Sequence, residues 1–497
     1  MTHNKMNNFA KPFLVLGVAV ILSTLLSTTA EAIPLFARQV QQNCVACHVG
    51  GQYPELTPYG RYFKLTGYTQ GDQQWDPAKG IFPVAMSVQA GSNTMKNNKS
   101  NGSDGNDPAA IDNRNGNFKI DQVSVYAGGK ITDNLGLFAQ YSFYYNLNPA
   151  NQNNSVFGAD NFDLRYADHY SNGYKDIIFG TSLNNNPGVT DVFNSTPAYF
   201  YPYQISSTAS GALPPYQTQI ESYGGGSARG VNGYVYINRN WYAEVGGYTA
   251  NTGATKFMSW INDGSKNPSS NPTRNSTTNL VGVNPYYRLA ATKEWGAHNI
   301  MVGAFGMNSK IADFSTLGLP DATGTNVPIA SGTPAVMYQD RGLDSQYQYI
   351  SSPHVVSAQL RYVQESINDA TGLAYANQFN NMYSRYAKIS YIYNAKYGAN
   401  LAYWSITGSS DSTKYPSGTG GDTSLPAPKS ANLASATNSP NSNAWIPSIF
   451  WQPLQNMRLS LTQTYWTKFA GAKQNYDGYG RNASDNNTTY LWLWLAY

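Results

Sequence analysis

The chain contains two cysteines, Cys44 and Cys47, and a histidine, His48, directly follows the second one. This C-x-x-C-H motif is the attachment signature of c-type haem. Two thiols one helical turn apart can add to the two vinyl groups of a haem, and the adjacent histidine can bind the iron as its proximal axial ligand. A disulfide is the alternative, but it gives His48 no role. We therefore predict one covalently bound haem c.

The first 32 residues have the composition of a secretory signal peptide. Lys5 and Lys11 precede an apolar run at 12–27, and Ala30-Glu31-Ala32 supplies the small residues of a cleavage site. The apolar run is shorter than the ~20 residues of a transmembrane helix. We expect cleavage before Ile33 and export from the cytoplasm; an uncleaved membrane anchor is the alternative.

The haem motif lies in a segment, residues 33–80, that is predicted to form a small helical cytochrome module. Residues 35–48 can form one helix that ends at the motif. A second helix is predicted within 56–65, where Thr57 is a suitable N-cap and Pro58 occupies the first helical position. The two helices would form the scaffold that holds the haem.

The remaining haem contacts are less well defined by the sequence. Arg61 and Lys64 lie three residues apart on the second predicted helix. They are candidates to pair with the haem propionates, and ordinary solvated charges are the alternative. The module has no methionine and no second histidine for the sixth iron position. Met86, Met95 and His169 are candidates from the rest of the chain, although Met86 is in phase with strand residues predicted to face lipid; a five-coordinate iron is also open.

The composition after residue 32 narrows the fold class to two. Charged residues make up 12% of the chain, against ~25% in ordinary soluble domains. Aromatic residues reach 14%, with 39 tyrosines, and polar stretches such as 96–107 and 424–444 are rich in Asn, Ser, Thr and Gly. The net charge of +4 is small, and we expect no nucleic-acid partner. A transmembrane β-barrel and a large secreted all-β protein are the two candidates.

Residues 122–145 show the alternation of a membrane-spanning β-hairpin. Val123, Val125 and Ala127 alternate with polar or lumen-phase residues, and a tight turn follows at 132–134. The same strand–turn–strand unit recurs along the chain. The further turns are predicted at Asn172-Gly173, Asn238-Arg239-Asn240, Trp295-Gly296, Ser352-Pro353, Asn394-Ala395 and Leu454-Gln455-Asn456.

Counting from a first strand at 81–91 to a last strand at 486–497 gives about sixteen strands, an even number within the range of single-chain outer-membrane barrels. The last strand, "TTYLWLWLAY", ends in an aromatic residue and resembles the insertion signal of such barrels. Short turns at one end and long polar loops at the other favour a barrel over a sandwich. We predict an all-β, porin-like transmembrane barrel at 81–497, in contact with the lipid of the outer membrane.

The order of these segments resembles the fused monohaem cytochrome c–porins of the bacterial outer membrane, whose members include the iron oxidases of iron-oxidising bacteria. The resemblance covers the mature chain in architecture and rests on the haem motif, on "LTPYGRYFKLTGYT" (56–69) and on "SLNNNPGVTDVFNSTPAYFYPY" (182–203). It implies haem attached to Cys44 and Cys47, with His48 as axial ligand. It also implies oxidation of extracellular Fe(II) and delivery of electrons to a periplasmic carrier, such as a cytochrome or a copper protein.

A physical argument also favours electron transfer across the membrane. The apolar core of a bilayer is ~30 Å thick, so a haem hanging in the periplasm could not reach an external donor. A module folded into the lumen would bring the iron within reach of both faces.

The competing hypothesis is an anion or solute porin with a redox-sensing haem, and a purely structural barrel leaves the haem unexplained. The lumen-phase arginines that would attract anions are Arg165, Arg288, Arg361 and Arg458.

Overall fold

Alternating strands joined by tight turns dominate the computed structural model. It describes residues 34–51, 54–71, 83–97, 116–145, 155–194, 214–222, 228–250, 253–258, 260–261, 280–312, 334–417 and 435–496. The predicted signal peptide, 1–32, lies outside these ranges.

Within the described residues one antiparallel sheet closes on itself, because β17 pairs with β1 as well as with β16. Its strands are β1 (Val84–Met95), β2 (Phe118–Lys130), β3 (Leu135–Tyr145), β4 (Ser155–Ser171), β5 (Asp176–Asn184), β6 (Ala228–Ile237), β7 (Trp241–Ala250), β8 (Trp260–Ile261), β9 (Asn284–Trp295), β10 (His298–Ile311), β11 (Val336–Ser351), β12 (His354–Asn368), β13 (Phe379–Tyr393), β14 (Tyr397–Gly408), β15 (Ser442–Leu454), β16 (Met457–Lys468) and β17 (Thr488–Ala496). The two-residue β8 pairs with β4, while β7 pairs directly with β9. The other sixteen strands form the barrel wall, which confirms the predicted fold class.

The side chains alternate between the two faces of the wall as the sequence predicts. On β2, Val125 is 43% exposed whereas the adjacent Tyr126 is 8% exposed. An exposed aliphatic residue recurs on strand after strand, so the outer face carries an apolar band. Its members include Val231, Val245, Leu289, Val302, Leu343, Leu360, Ile389, Leu401, Ile449 and Leu461.

The seven predicted turns all join neighbouring strands at one end of the barrel. At two of them both central residues have positive φ, Asn238 and Arg239 at 51° and 55° and Asn394 and Ala395 at 54° and 52°. Positive φ at both central positions matches the right-handed twist of the flanking strands. Exposed aromatic residues lie near this end, as at a membrane interface: Trp241, Trp295, Tyr393, Tyr397 and Trp451. Short turns identify the periplasmic end.

Among the described residues, three helices precede the wall: α1 (Pro34–Val40), α2 (Cys44–Cys47) and α3 (Pro58–Leu65). The prediction of a single helix over 35–48 is wrong. Gln41 has a left-handed φ of 53°, which ends α1, and the extended Asn43 begins α2. The predicted start of α3 is confirmed, since Thr57 caps it and Pro58 is its first residue.

Two described segments of the connection between β5 and β6, at the end opposite the periplasmic turns, contain short helices, α4 (Pro187–Thr190) and α5 (Gln219–Ser222). Both helices are buried. Among the described residues, no helix has both the length and the apolar character required to cross a membrane.

Candidate haem site in the barrel lumen

The haem motif forms one helical turn followed by an extended residue. The backbone N–H of His48 donates to the carbonyl of Cys44 over 2.8 Å, which places the motif on a single turn. Cys44 and Cys47 are not joined in a disulfide. The turn therefore presents both thiols from one face of the chain, as attachment to two vinyl groups requires.

His48 is half-buried, and its Nδ1 atom is buried without a hydrogen-bond partner. Burial, helped by the positive charge of Lys64, lowers the pKa of His48 from 6.5 to about 4. The ring is therefore neutral at ordinary pH, which is the state that binds a metal. Burial, followed by the charge of Cys44, raises the pKa of Cys47 to about 11. A neutral, incompletely bonded imidazole beside two thiols that form no disulfide fits covalent haem c.

Helix α3 supports the motif from the side. Thr57 Oγ1 donates to the carbonyl of Ala46 over 2.5 Å and accepts the N–H of Gly60 over 3.1 Å. The N–H of Thr57 also donates to the carbonyl of Cys47 over 2.9 Å. Gly60 is required by this contact, because a Cβ there would lie 2.1 Å from the Cys47 oxygen. The cap of α3 thus fixes the turn that contains the thiols.

The two cations of α3 contact the barrel and one of its loops. The guanidinium of Arg61, 4% exposed, donates to Asn299 over 2.5 Å and to Gln346 over 3.1 Å. Lys64 Nζ donates to the carbonyl of Asp191 over 3.1 Å. These bonds hold the helix in place. The two side chains are therefore not the solvated surface charges that were the alternative. Pairing of either side chain with a haem propionate stays a prediction.

The helical module contacts the inner wall on several sides. Arg38 donates to the carbonyl of Val84 on β1 over 2.7 Å. On another side, Tyr234 of β6 donates its hydroxyl to the carbonyl of Leu65 over 2.6 Å. Arg61 reaches β10 and β11 through the contacts above. The described part of the module therefore lies inside the lumen, near the periplasmic end, as a plug.

The loop that follows β5 meets the module within the lumen. Phe193 lies between two guanidinium groups, with its ring centroid 5.6 Å from Arg61 and 5.1 Å from Arg288. Asn194 Oδ1 accepts the N–H of Leu56 over 3.1 Å. Phe193 and Asn194 belong to the stretch 182–203, which carries part of the family resemblance. Residues 195–203 lie outside the described ranges. The Asn-Pro pair that caps α4 was the local signal of an ordered loop.

The lumen arginines predicted as an anion-attracting lining do lie on the inner face, but carboxylates accompany three of them. Arg165 pairs with Asp163 over 2.8 Å, and Arg288 pairs with Asp344 over 2.6 Å. Arg361 pairs with Glu221 of α5 over 2.7 Å. The fourth, Arg458, packs over a phenylalanine ring. These partners offset much of the positive charge that the sequence indicates.

No family model and no curated protein matches the chain. Solved structures do resemble it at low identity. OmpF of Salmonella typhi, in complex with daunomycin, is 12% identical with a TM-score of 0.43, covering 83% of this chain and 97% of that one. The outer-membrane channel DcaP of Acinetobacter baumannii is 10% identical (TM-score 0.43, coverage 83% and 96%). An anion-selective porin from Comamonas acidovorans is 10% identical (TM-score 0.40, coverage 83% and 98%).

The closed sixteen-stranded wall and its apolar outer band decide the class of protein. The chain is a porin-like β-barrel of the outer membrane. An apolar exterior over a closed sheet suits lipid, because closure lets neighbouring strands pair their backbone groups within the barrel and leaves no open sheet edge.

The three candidates for the sixth iron ligand lie in different parts of this barrel. Met86 is 46% exposed on the outer face, in the lipid phase as predicted. Met95 is buried at the far end of β1, ~36 Å along the strand from its first residue. His169 Nε2 lies 2.5 Å from Asp176 near a periplasmic turn. The structure does not bring these three together, and ligation by any of them stays a prediction.

Proposed function

We propose that this barrel is a cytochrome–porin that carries electrons across the outer membrane, from extracellular Fe(II) to a periplasmic carrier. The observation that carries the proposal is the position of the haem motif, which is held inside the lumen by bonds from the module to β1, β6, β10 and β11. A redox centre in that position is shielded from lipid by the barrel wall and lies in the passage that joins the two aqueous ends. A tethered periplasmic cytochrome would need none of these contacts.

When bound, a haem c would supply a one-electron centre between external Fe(II), which would be oxidised to Fe(III), and the periplasmic carrier, which would be reduced by the same electron. The chain's own residues perform the positioning. Cys44 and Cys47 would hold the group covalently, neutral His48 would provide a nitrogen ligand, and the cap of α3 fixes the turn that contains them. Fe(II) as the donor comes from the resemblance to the fused cytochrome–porins.

Fe(II) is the substrate in this proposal, and it would react as the hydrated ion. Among the described residues, no group of three or more His, Cys, Asp or Glu side chains is arranged to hold a metal ion. The described inner wall instead carries many neutral amides and hydroxyls, such as Gln140, Ser124 and Ser142. Such a surface lets a hydrated cation approach without binding it tightly.

The alternative function is a solute- or anion-conducting porin with a redox-sensing haem. A barrel of sixteen strands is wide enough for an aqueous channel, so the wall itself serves either function. The two differ in conductance. In planar bilayers the complete protein should pass little current, and deletion of residues 34–71 should produce steady open-channel current. A large, steady current from the complete protein would favour the porin.

The proposed function is tested with outer-membrane vesicles that contain the protein in its native orientation. External Fe(II) should reduce the haem, as followed by its absorption bands. A bulky, membrane-impermeant Fe(II) chelate should react more slowly, because the occupied lumen restricts its approach. If Fe(II) leaves the haem oxidised while a reductant on the periplasmic side reduces it, inward electron uptake is wrong.

A further inference from the structure

A single glutamate of the module, Glu55, has its carboxylate buried against the barrel wall. Glu55 is 1% exposed. Its Oε1 accepts from the hydroxyl of Ser357 on β12 and, over 3.4 Å each, from the side-chain amides of Gln346 and Gln348 on β11. Its Oε2 lies 3.2 Å from Nζ of Lys388 on β13, and both of these charged side chains are 2% exposed. Three neighbouring strands therefore surround this carboxylate.

The backbone at Glu55 is bonded to the haem motif. Its carbonyl accepts the N–H of Val49 over 2.9 Å. The next residue, Leu56, forms an antiparallel bridge with His48. A short backbone bridge therefore links the residue that carries the buried carboxylate to His48.

We propose that the ion pair between Glu55 and Lys388 seats the haem motif on the barrel wall and balances the charge near the iron. Glu55 is a positioning residue that acts through His48. This inference rests on the proposed function, in that it takes His48 as the haem ligand. It extends that function, because the wall of the barrel, as well as the module, then sets the reduction potential.

The sign of each effect follows from electrostatics. A buried charge whose partner is removed stays costly and exerts its field through a medium of low dielectric constant. The oxidised haem carries one more positive charge than the reduced haem. Neutralising Glu55 leaves Lys388 unbalanced, which disfavours the oxidised form and raises the reduction potential. Neutralising Lys388 removes the ion-pair partner of the carboxylate, which favours the oxidised form and lowers the potential.

The test uses the complete protein, matured with covalent haem and titrated in detergent. Glu55→Gln should shift the midpoint potential upward, Lys388→Met should shift it downward, and the double variant should return close to the wild-type value. Asp133→Asn is the matched control, since it removes an exposed carboxylate that pairs with Lys130 at a periplasmic turn. This control should leave the potential unchanged.

Any of three results would overturn the inference. The potential of the single variants could shift no more than that of the control, both single variants could shift it in the same direction, or the double variant could fail to recover the wild-type potential. Ser357→Ala covers the case in which Glu55→Gln fails to assemble. This substitution removes one hydrogen-bond donor and no charge, so the midpoint potential should stay at the wild-type value while the haem site unfolds at a lower temperature. An unchanged unfolding temperature would contradict the proposal that Glu55 anchors the haem motif to the wall. A failure of the proposed function can be told apart from a failure of this inference. In the former case the wild-type protein itself would bind no haem, or its haem would not be reduced by Fe(II).

Discussion

His48 illustrates how much of this site is decided by a few atoms. The motif identifies the residue, and the fold gives it a buried Nδ1 without a partner and a pKa lowered to about 4. A neutral ring with one nitrogen still unbonded is ready to bind iron without first losing a proton. The chemistry at this scale depends on burial as much as on residue type.

Single substitutions in the motif test the haem assignment. In cells with a c-haem maturation system, the wild type should contain one covalent haem per chain. Cys44→Ser or Cys47→Ser should weaken or abolish attachment, because each thiol would form one of the two thioether bonds. His48→Ala should change the absorption spectrum even where haem is retained. An unchanged spectrum in His48→Ala would contradict the ligand assignment.

Lys64 gives a prediction about pH. Burial, with the positive charge of Arg165, lowers the pKa of Lys64 from 10.5 to about 8 in the folded module. Between these values the unfolded chain binds more protons than the folded chain, so the free energy of unfolding rises as the pH rises from about 8 to 10.5. Below this window both states are protonated and the dependence disappears.

The measurement is protection of the module from protease across this pH window, in the haem-free Cys44→Ser/Cys47→Ser protein. Lys64→Met in the same background is the control and should remove the dependence on pH. Attached haem should also reduce it if a propionate pairs with Lys64, since a nearby negative charge restores the pKa of the lysine. A slope that survives Lys64→Met would assign the effect to another group.

At the scale of elements, the N-terminus of α3 connects the helix to the haem motif. Thr57→Ala removes the hydroxyl that bonds both Ala46 and Gly60. We expect a loss of about 1 kcal/mol of module stability, the usual cost of a lost N-cap. Thermal unfolding followed by the haem circular dichroism should show a lower midpoint for Thr57→Ala. Thr57→Ser keeps the hydroxyl and should stay close to the wild type.

At the scale of the whole molecule, the strand directions fix which loops face outward. Tags near residues 100, 265 and 425 follow the non-periplasmic ends of β1, β8 and β14, although these positions lie outside the described ranges. They should bind antibody on intact cells. A tag at the Ser352–Pro353 turn between β11 and β12 should bind only after the outer membrane is opened. The opposite pattern would invert the barrel.

Local patterns in the sequence were sufficient for the wall. Alternation of side chains is a property of each strand, and the turn residues lie within a few positions of one another, so all seven turns could be predicted from short stretches. The haem motif and the cap of α3 are local for the same reason. The end of α1 at Gln41 was not predicted, because the residue with the left-handed φ is a glutamine and not the glycine or asparagine that usually marks such a position.

The sequence by itself determined the barrel, its strand count, the haem motif and the phase of the lumen arginines. Only the tertiary structure decided where the module lies and which charges meet. Glu55 and Lys388 are 333 positions apart in the chain, and Arg61 and Gln346 are 285 apart. No pattern over short distances encodes such pairs, because closure of the barrel, rather than chain neighbourhood, brings them together. The contacts that hold the haem motif against the wall therefore depend on closure of the barrel.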